Sequence, residues 1–260
     1  ADGIAAGVLA WKNEVFFACM PNLWSLKDSD GDHVADAKKV LSTGYGVRFA
    51  LIGHDLHGLA LGPDGKLYFS CGDRGLSVPL ADGSRLNNQF NGAVLRCNLD
   101  GSELEVFATG LRNPQELVFD EYGELFTVDN NSDGGDKARL VHVIEGMDAG
   151  WRQAYQWINE PNLRGAWNDE GLWKPHFEGQ AAYIVPPLSN ICDGPSGFTY
   201  NPGTALTPEW RNRFFICDFR GDASSSGIHW FTLKPKGATF ELDRFEHFVW
   251  GTLVTDCDFG

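Results

Sequence analysis

A strand–turn–strand segment recurs along this chain, and that recurrence limits the fold more than any other feature. His57–Asp73 (HGLALGPDGKLYFSCGD) places a Pro-Asp-Gly turn between an apolar run and an aromatic-rich run. Pro114–Asp129 (PQELVFDEYGELFTVD) has the same layout, and Gly7–Cys19 and Gly197–Asp218 follow it more loosely. The turns carry Gly or Pro where a tight reversal needs them. Hairpins repeated at irregular spacing point to a radial β-architecture, in which loops of unequal length decorate one scaffold. Further strands are expected at Ala93–Cys97, Leu104–Phe107, Leu140–Ile144 and Ile228–Leu233. About four strands per repeat is the content of a propeller blade. The expected fold class is therefore all-β, a β-propeller. Residues 1–260 are read as a single partial domain of four blades, with a fifth beginning near Thr255. An incomplete ring implies a piece of a longer protein.

One stretch breaks the pattern. Residues 150–187 carry Trp151, Trp157, Trp167 and Trp173 with few strand signals. We read it as a long insertion between two blades, either a loop packed by its own aromatics or a lid over a substrate. Composition agrees with the β reading: 9 Trp, 31 Gly and 13% aromatic residues favour strands and turns over helices. A net charge of −14 argues against nucleic acid, whose phosphates this surface would repel, and suits cations or neutral substrates. No apolar run approaches the roughly 20 residues that cross a bilayer. The six cysteines include no C-x-x-C. Cys19, Cys71 and Cys217 fall at matching places in three repeats, too far apart to pair with one another. They read as buried free thiols. A Cys192–Cys257 bridge between neighbouring repeats is the alternative.

The repeats also say where chemistry should collect. Straight pairing about the Pro63–Asp64 turn puts His54 opposite Asp73, just beyond the paired strands. The same construction about Glu121–Tyr122 puts Arg112 opposite Asn131 and Asn113 opposite Asn130. A β-bulge would shift either register by one residue. In a propeller the inner-strand starts meet the central channel on one face, so these polar residues should converge there. A histidine can take a proton from a hydroxyl, a carboxylate beside it orients the ring, and an arginine stabilises developing negative charge. Each has a plainer alternative: a structural His54, a turn residue at Asp73, an inter-blade ion pair at Arg112. His57 either lines the channel or is structural.

A second cluster lies at Asp28, Asp30, Asp32 and Asp36, spaced D-x-D-x-D-x-x-x-D. Alternating carboxylates in a turning loop can wrap one hard cation, and calcium is the expected ion. The sixth-position glycine of an EF-hand is His33 here, and its twelfth-position glutamate is absent. The alternative is a solvated acidic turn. A cation bound there would be structural.

These segments resemble a known family. Gly53–Gly75, Thr109–Gln115 (TGLRNPQ), Asn130–Asp136 (NNSDGGD) and Gly150-Trp151 are similar to the signature of the soluble quinoprotein glucose/sorbosone dehydrogenases. Within that family, the Asp28–Asp32 loop is similar to the planctomycete-type propellers joined to a c-type haem domain. The resemblance covers about residues 50–151 strongly and 190–235 more weakly. It implies a six-bladed propeller that binds pyrroloquinoline quinone through calcium and oxidises a sugar or other alcohol. By position, His54 would be the base and Asp73 its partner. Arg112, Asn113 and Gln115 would contact the quinone, and the backbone carbonyls of Asn131 and Ser132 would help hold the cofactor calcium. Arg220 is what stands here for the family's later cationic cluster. His57-Gly58 replaces the family's Gly-Arg, and no C-x-x-C-H haem motif is present. The resemblance further implies a periplasmic or extracellular location and a c-type haem domain or cytochrome as electron acceptor.

Two other function classes stay open. A calcium-dependent lactonase would hold a metal on channel carboxylates, with Asp129, Asn130 and Asp256 as candidates. A non-catalytic binding propeller within a multidomain protein would not depend on His54.

Overall fold

The computed structural model describes residues 3–49, 53–157 and 164–259; residues 158–163 of the expected insertion lie outside that set. The chain divides into two compact units, residues 1–114 with 145–153, and residues 115–144 with 154–260. Almost all of the regular structure is antiparallel strand.

The first unit holds two four-stranded sheets. Strands β1 (Ile4–Trp11), β2 (Glu14–Met20), β3 (Asn22–Lys27) and β4 (Ala37–Thr43) pair in chain order. Strands β5 (Leu56–Leu61) and β6 (Leu67–Cys71) are followed by a small ribbon of β7 (Leu76–Pro79) and β8 (Arg85–Asn88). The sheet resumes with β9 (Gly92–Cys97) and β10 (Glu105–Leu111), giving the order β10-β9-β6-β5. The ribbon was not expected from sequence, because its two four-residue strands carry little apolar alternation. Phe16, Leu23, Leu56, Phe69 and Leu95 pack between the sheets with almost no exposure. Each such side chain contributes about 1.5–3 kcal/mol by leaving water.

The second unit repeats the plan. Strands β11 (Pro114–Phe119), β12 (Leu125–Asp129), β13 (Arg139–Val143) and the two-residue β14 (Ser189–Asn190) form one sheet. Strands β15 (Pro195–Asn201), β16 (Arg213–Asp218), β17 (Gly227–Lys236) and β18 (Thr239–Trp250) form the other. Its core is aromatic: Phe214 stacks on Phe231 at 5.0 Å and meets Phe126 edge-on at 5.2 Å. The only α-helix among the described residues, α1 (Ala166–Asp169), is one turn long and buries Trp167.

The hairpin turns have one chemistry. In Gly62-Pro-Asp-Gly-Lys66, the N–H of Gly62 donates to the Lys66 carbonyl at 2.9 Å and Gly65 takes φ +77°. This is a three-residue loop closed by a left-handed glycine. Asp64 Oδ1 accepts the Lys66 N–H at 3.1 Å, as Asp82 and Asp100 accept those of Ser84 and Ser102 at 2.9 Å. The loop has a consequence for register. Near the turn Leu61 faces Leu67, one residue off straight pairing about Pro63–Asp64. A bulge at Gly58 then restores it, so His57 faces Ser70 and Leu56 faces Cys71.

All six cysteines are free thiols. Among the described residues no helix is long and apolar enough to cross a membrane.

Candidate active site

The restored register brings His54 and Asp73 together at the open end of the β5–β6 hairpin. His54 Nδ1 lies 2.7 Å from Asp73 Oδ1, with both side chains buried. An ionised carboxylate only accepts, so Nδ1 is the donor, and in the neutral ring this tautomer leaves the lone pair on Nε2. The second Asp73 oxygen accepts the Trp151 indole N–H at 3.0 Å. Both carboxylate oxygens are thus held, and the imidazole cannot turn without breaking a buried bond.

The backbone fixes the same geometry. The Asp73 N–H donates to the Arg112 carbonyl at 2.7 Å, and the Gly72 N–H donates to the Asp55 carbonyl at 3.0 Å. A Cβ on Gly72 would stand 2.8 Å from His54 Cα and 2.7 Å from Asn113 Oδ1. Only glycine lets these segments approach. Arg112 and Asn113 are 3% and 1% exposed, and the Arg112 guanidinium sits 5.9 Å from the Trp151 ring centroid. Trp151 itself is anchored by its backbone N–H on the Gly110 carbonyl at 2.8 Å.

His57 has a separate task. Its Nε2 donates to the Gly53 carbonyl at 2.5 Å, immediately before His54. Burial pushes its pKa down to about 4; the Gly53 hydrogen bond opposes this and the nearby His54 charge adds to it. His57 is therefore a neutral donor that tethers a glycine held at φ +69°.

In the second unit, Asn131 and Ser132 begin a tight loop closed by Asp136. The Asp136 carboxylate accepts the Ser132 N–H at 3.0 Å, the Ser132 hydroxyl at 2.9 Å and the Trp167 indole N–H at 3.0 Å. The Ser132 carbonyl accepts from Gln156 at 2.8 Å, while the buried Asn131 Oδ1 has no hydrogen-bond partner. The Trp-rich segment thus packs its aromatics onto this loop. Asp129 is occupied by Arg139 at 2.5 Å, both fully or nearly buried. Gln115 is half-buried near the start of β11. Arg220 Nη2 lies 2.7 Å from Asp218 and its Nη1 2.9 Å from Asp193, so its charge is already matched. Burial would raise the Asp218 carboxyl, but hydrogen bonds from His229, Arg220 and the Gly194 N–H hold it well below the carboxylate range.

The acidic loop brings Asp28, Asp30 and Asp36 together, with ligand oxygens within 4.8 Å of one another. Asp28 also accepts the N–H groups of Gly31 and His33 at 2.7 and 2.9 Å, and the first of these is the largest cause of its lowered pKa. Asp32 stands apart and accepts the Val34 N–H at 2.8 Å.

Two residues escaped the sequence reading. Trp151 was assigned to the insertion, yet it belongs to the first unit as a donor to Asp73. Its Gly150-Trp151 signature was the available signal. Glu116, in the second unit, is pushed well above the carboxylate range by burial and by the charges of Asp256 and Asp258. No local pattern announces it.

Comparison with known proteins supports the same architecture. The quinoprotein glucose dehydrogenase B of Acinetobacter calcoaceticus is 26% identical over 191 residues, which is 63% of this chain and 37% of that protein. The chain thus spans little more than a third of that relative. A glucose dehydrogenase structure superposes with a TM-score of 0.63 at 18% identity, covering 95% of this chain and 73% of that one. The PQQ-bound form of aldose sugar dehydrogenase from Streptomyces coelicolor gives 0.55 at 18% identity, covering 92% and 62%. The fold is a β-propeller of the type found in soluble quinoprotein dehydrogenases. A family model described as a domain of unknown function, DUF7133, matches residues 3–249, and the chain belongs to that family.

Proposed function

We propose that this chain is the catalytic propeller of a quinoprotein-type dehydrogenase that oxidises a sugar or other alcohol hydroxyl, with His54 as the base. The observation that carries this reading is the buried Asp73, which holds His54 Nδ1–H on one oxygen and Trp151 Nε1–H on the other. That arrangement presents Nε2 as a proton acceptor of fixed direction. As Nε2 takes the hydroxyl proton, Asp73 stabilises the imidazolium, an effect of about 10²–10⁴-fold in general base catalysis. The chemistry supplied by pyrroloquinoline quinone when bound is acceptance of a hydride. In the first unit the residues fit such a group: the buried Arg112 guanidinium suits its carboxylates and the Asn113 amide its ring oxygens. In the second unit, the unpartnered Asn131 Oδ1 is the kind of oxygen a calcium ion takes, whereas the Ser132 carbonyl already accepts from Gln156 and has one lone pair left to offer. Arg220 fits the role poorly, because Asp218 and Asp193 already neutralise it. Calcium at Asp28, Asp30 and Asp36, a sugar as substrate, a haem-bearing acceptor and an extracytoplasmic location complete the reading.

The test is dye reduction by the complete protein loaded with calcium and quinone, with aldoses and alcohols supplied in turn. Turnover that disappears in His54→Ala supports the proposal. Quinone binding without turnover on any substrate would leave a binding propeller. The lactonase reading is weakened by the Asp129–Arg139 pair, which takes up one of its expected ligands.

A further inference from the structure

Cys217 is fully buried in β16, and the half-buried Cys257 lies in the segment that follows β18. Several contacts lay that segment across the β15–β16 hairpin. The Gly197 N–H donates to the Thr255 carbonyl at 2.9 Å, and Thr199 Oγ1 donates to Asp258 at 3.1 Å. The Phe259 ring meets Phe215 edge-on at 5.3 Å. Phe215 and Cys217 are two residues apart on one strand and so share a face. Phe259 and Cys257 are likewise two apart. With Phe259 on Phe215, the spacing brings Cys257 to Cys217. Cys257 Sγ is 3.9 Å from the Phe215 carbonyl, two residues before Cys217 on the same strand.

Glycine makes this approach possible. Gly197 lies in the bulge between the Pro195–Asp218 and Phe198–Ile216 pairs, facing Cys217. A Cβ on Gly197 would stand 2.4 Å from Asp256 Cα and 2.6 Å from the Cys257 nitrogen. Any other residue would push the segment, and its thiol, away.

We propose that Cys217 and Cys257 are an oxidisable pair that closes to a disulfide, stapling the segment after β18 to the β15–β16 hairpin. The oxidant is a small disulfide such as oxidised glutathione. The more accessible Cys257 attacks as thiolate and releases one glutathione thiol. Cys217 then displaces the second from the mixed disulfide. One S–S bond forms, the glutathione S–S bond breaks, and its two sulfurs leave as thiols carrying the two electrons and two protons. The neighbouring Cys217 thiol, then burial, raise the Cys257 pKa; because the thiolate is the nucleophile, closure is faster in alkali.

The pairing differs from the Cys192–Cys257 bridge that sequence left open, and the two are separable by experiment. The chain is equilibrated with oxidised glutathione at pH 8.5, blocked with maleimide in denaturant so that every free thiol reacts, and digested with trypsin without reduction. Cleavage after Arg213, Arg220 and Arg244 puts the two cysteines on separate peptides. The expected product is Phe214–Arg220 linked to the peptide that begins at Phe245 and carries Cys257, lighter by two hydrogens than the sum of the reduced peptides. The blocked wild type should show two fewer labelled thiols than the six in the sequence. Cys217→Ser and Cys257→Ser should each abolish the linked peptide, and Cys192→Ser should retain it. Six labelled thiols in the wild type, glutathione left on Cys257 alone, or a linkage through Cys192 would each overturn the proposal.

Discussion

His57 offers a sharp test of how the His54 segment is held. Burial lowers its pKa from 6.5 to about 4. A histidine depressed in this way takes a proton more readily when unfolded. Its contribution to stability is complete above pH 6.5, shrinks as pH falls, and is exhausted near pH 4. A shift of that size corresponds to about 3 kcal/mol at about 1.4 kcal/mol per pKa unit. His57→Gln keeps an amide donor for the Gly53 carbonyl and removes the titration. At pH 7 the variant should be less stable by about 1 kcal/mol, the net worth of one hydrogen bond made with poorer geometry. Between pH 6.5 and 4 the wild type should lose about 3 kcal/mol more than the variant, so the two stability curves should cross. Urea unfolding followed by tryptophan fluorescence at half-unit pH steps measures both. Curves that run parallel across that window would refute the claim that His57 is a buried neutral donor.

Asp73→Asn should lower kcat about 10²–10⁴-fold while leaving the fold intact, because the amide no longer holds His54 in the base tautomer; an unchanged rate or unchanged imidazole ¹⁵N shifts would contradict this. Gly72→Ala should cost about 1–3 kcal/mol through the overlap with His54 Cα, read as a lower urea midpoint. Trp167→Phe removes the indole donor to Asp136 and should destabilise the second unit by about 1–3 kcal/mol, visible as faster amide exchange at Ser132 and Gly134. Closure of the Cys217–Cys257 disulfide encloses a loop of about forty residues and should raise stability by roughly 4 kcal/mol on the chain-entropy account, with an unchanged melting temperature after oxidation as the contrary result.

The hairpins were legible because two local signals coincide in them: apolar runs of strand length, and Asp-Gly or Pro-Asp-Gly turns whose side chains cap their own backbone. Those signals are contained within about sixteen residues, so no tertiary information is needed. The His54–Asp73 pairing was legible for a less secure reason. Straight pairing gave the correct partners only because the extra turn residue and the Gly58 bulge compensate each other. The ribbon of β7 and β8 was not legible, since short strands with polar faces are stabilised by the chain they lie against rather than by their own pattern.

What the sequence could not disclose was how side chains far apart in the chain divide the work. Asp73 and Trp151 are 78 positions apart, and nothing local marks an indole as the second donor to a carboxylate. The same holds for Arg220, whose local motif suggests a free cation while Asp193 and Asp218 show it spent on internal charge balance. In both cases the residue type was visible and its availability was not. Availability is a property of the hydrogen-bond ledger, because a buried donor or charge leaves no group around it unsatisfied without cost. A base is credible here since the ledger closes around His54 Nδ1 through Asp73 and leaves its Nε2 as the acceptor. A cofactor contact at Arg220 is less so, because there the ledger is already closed.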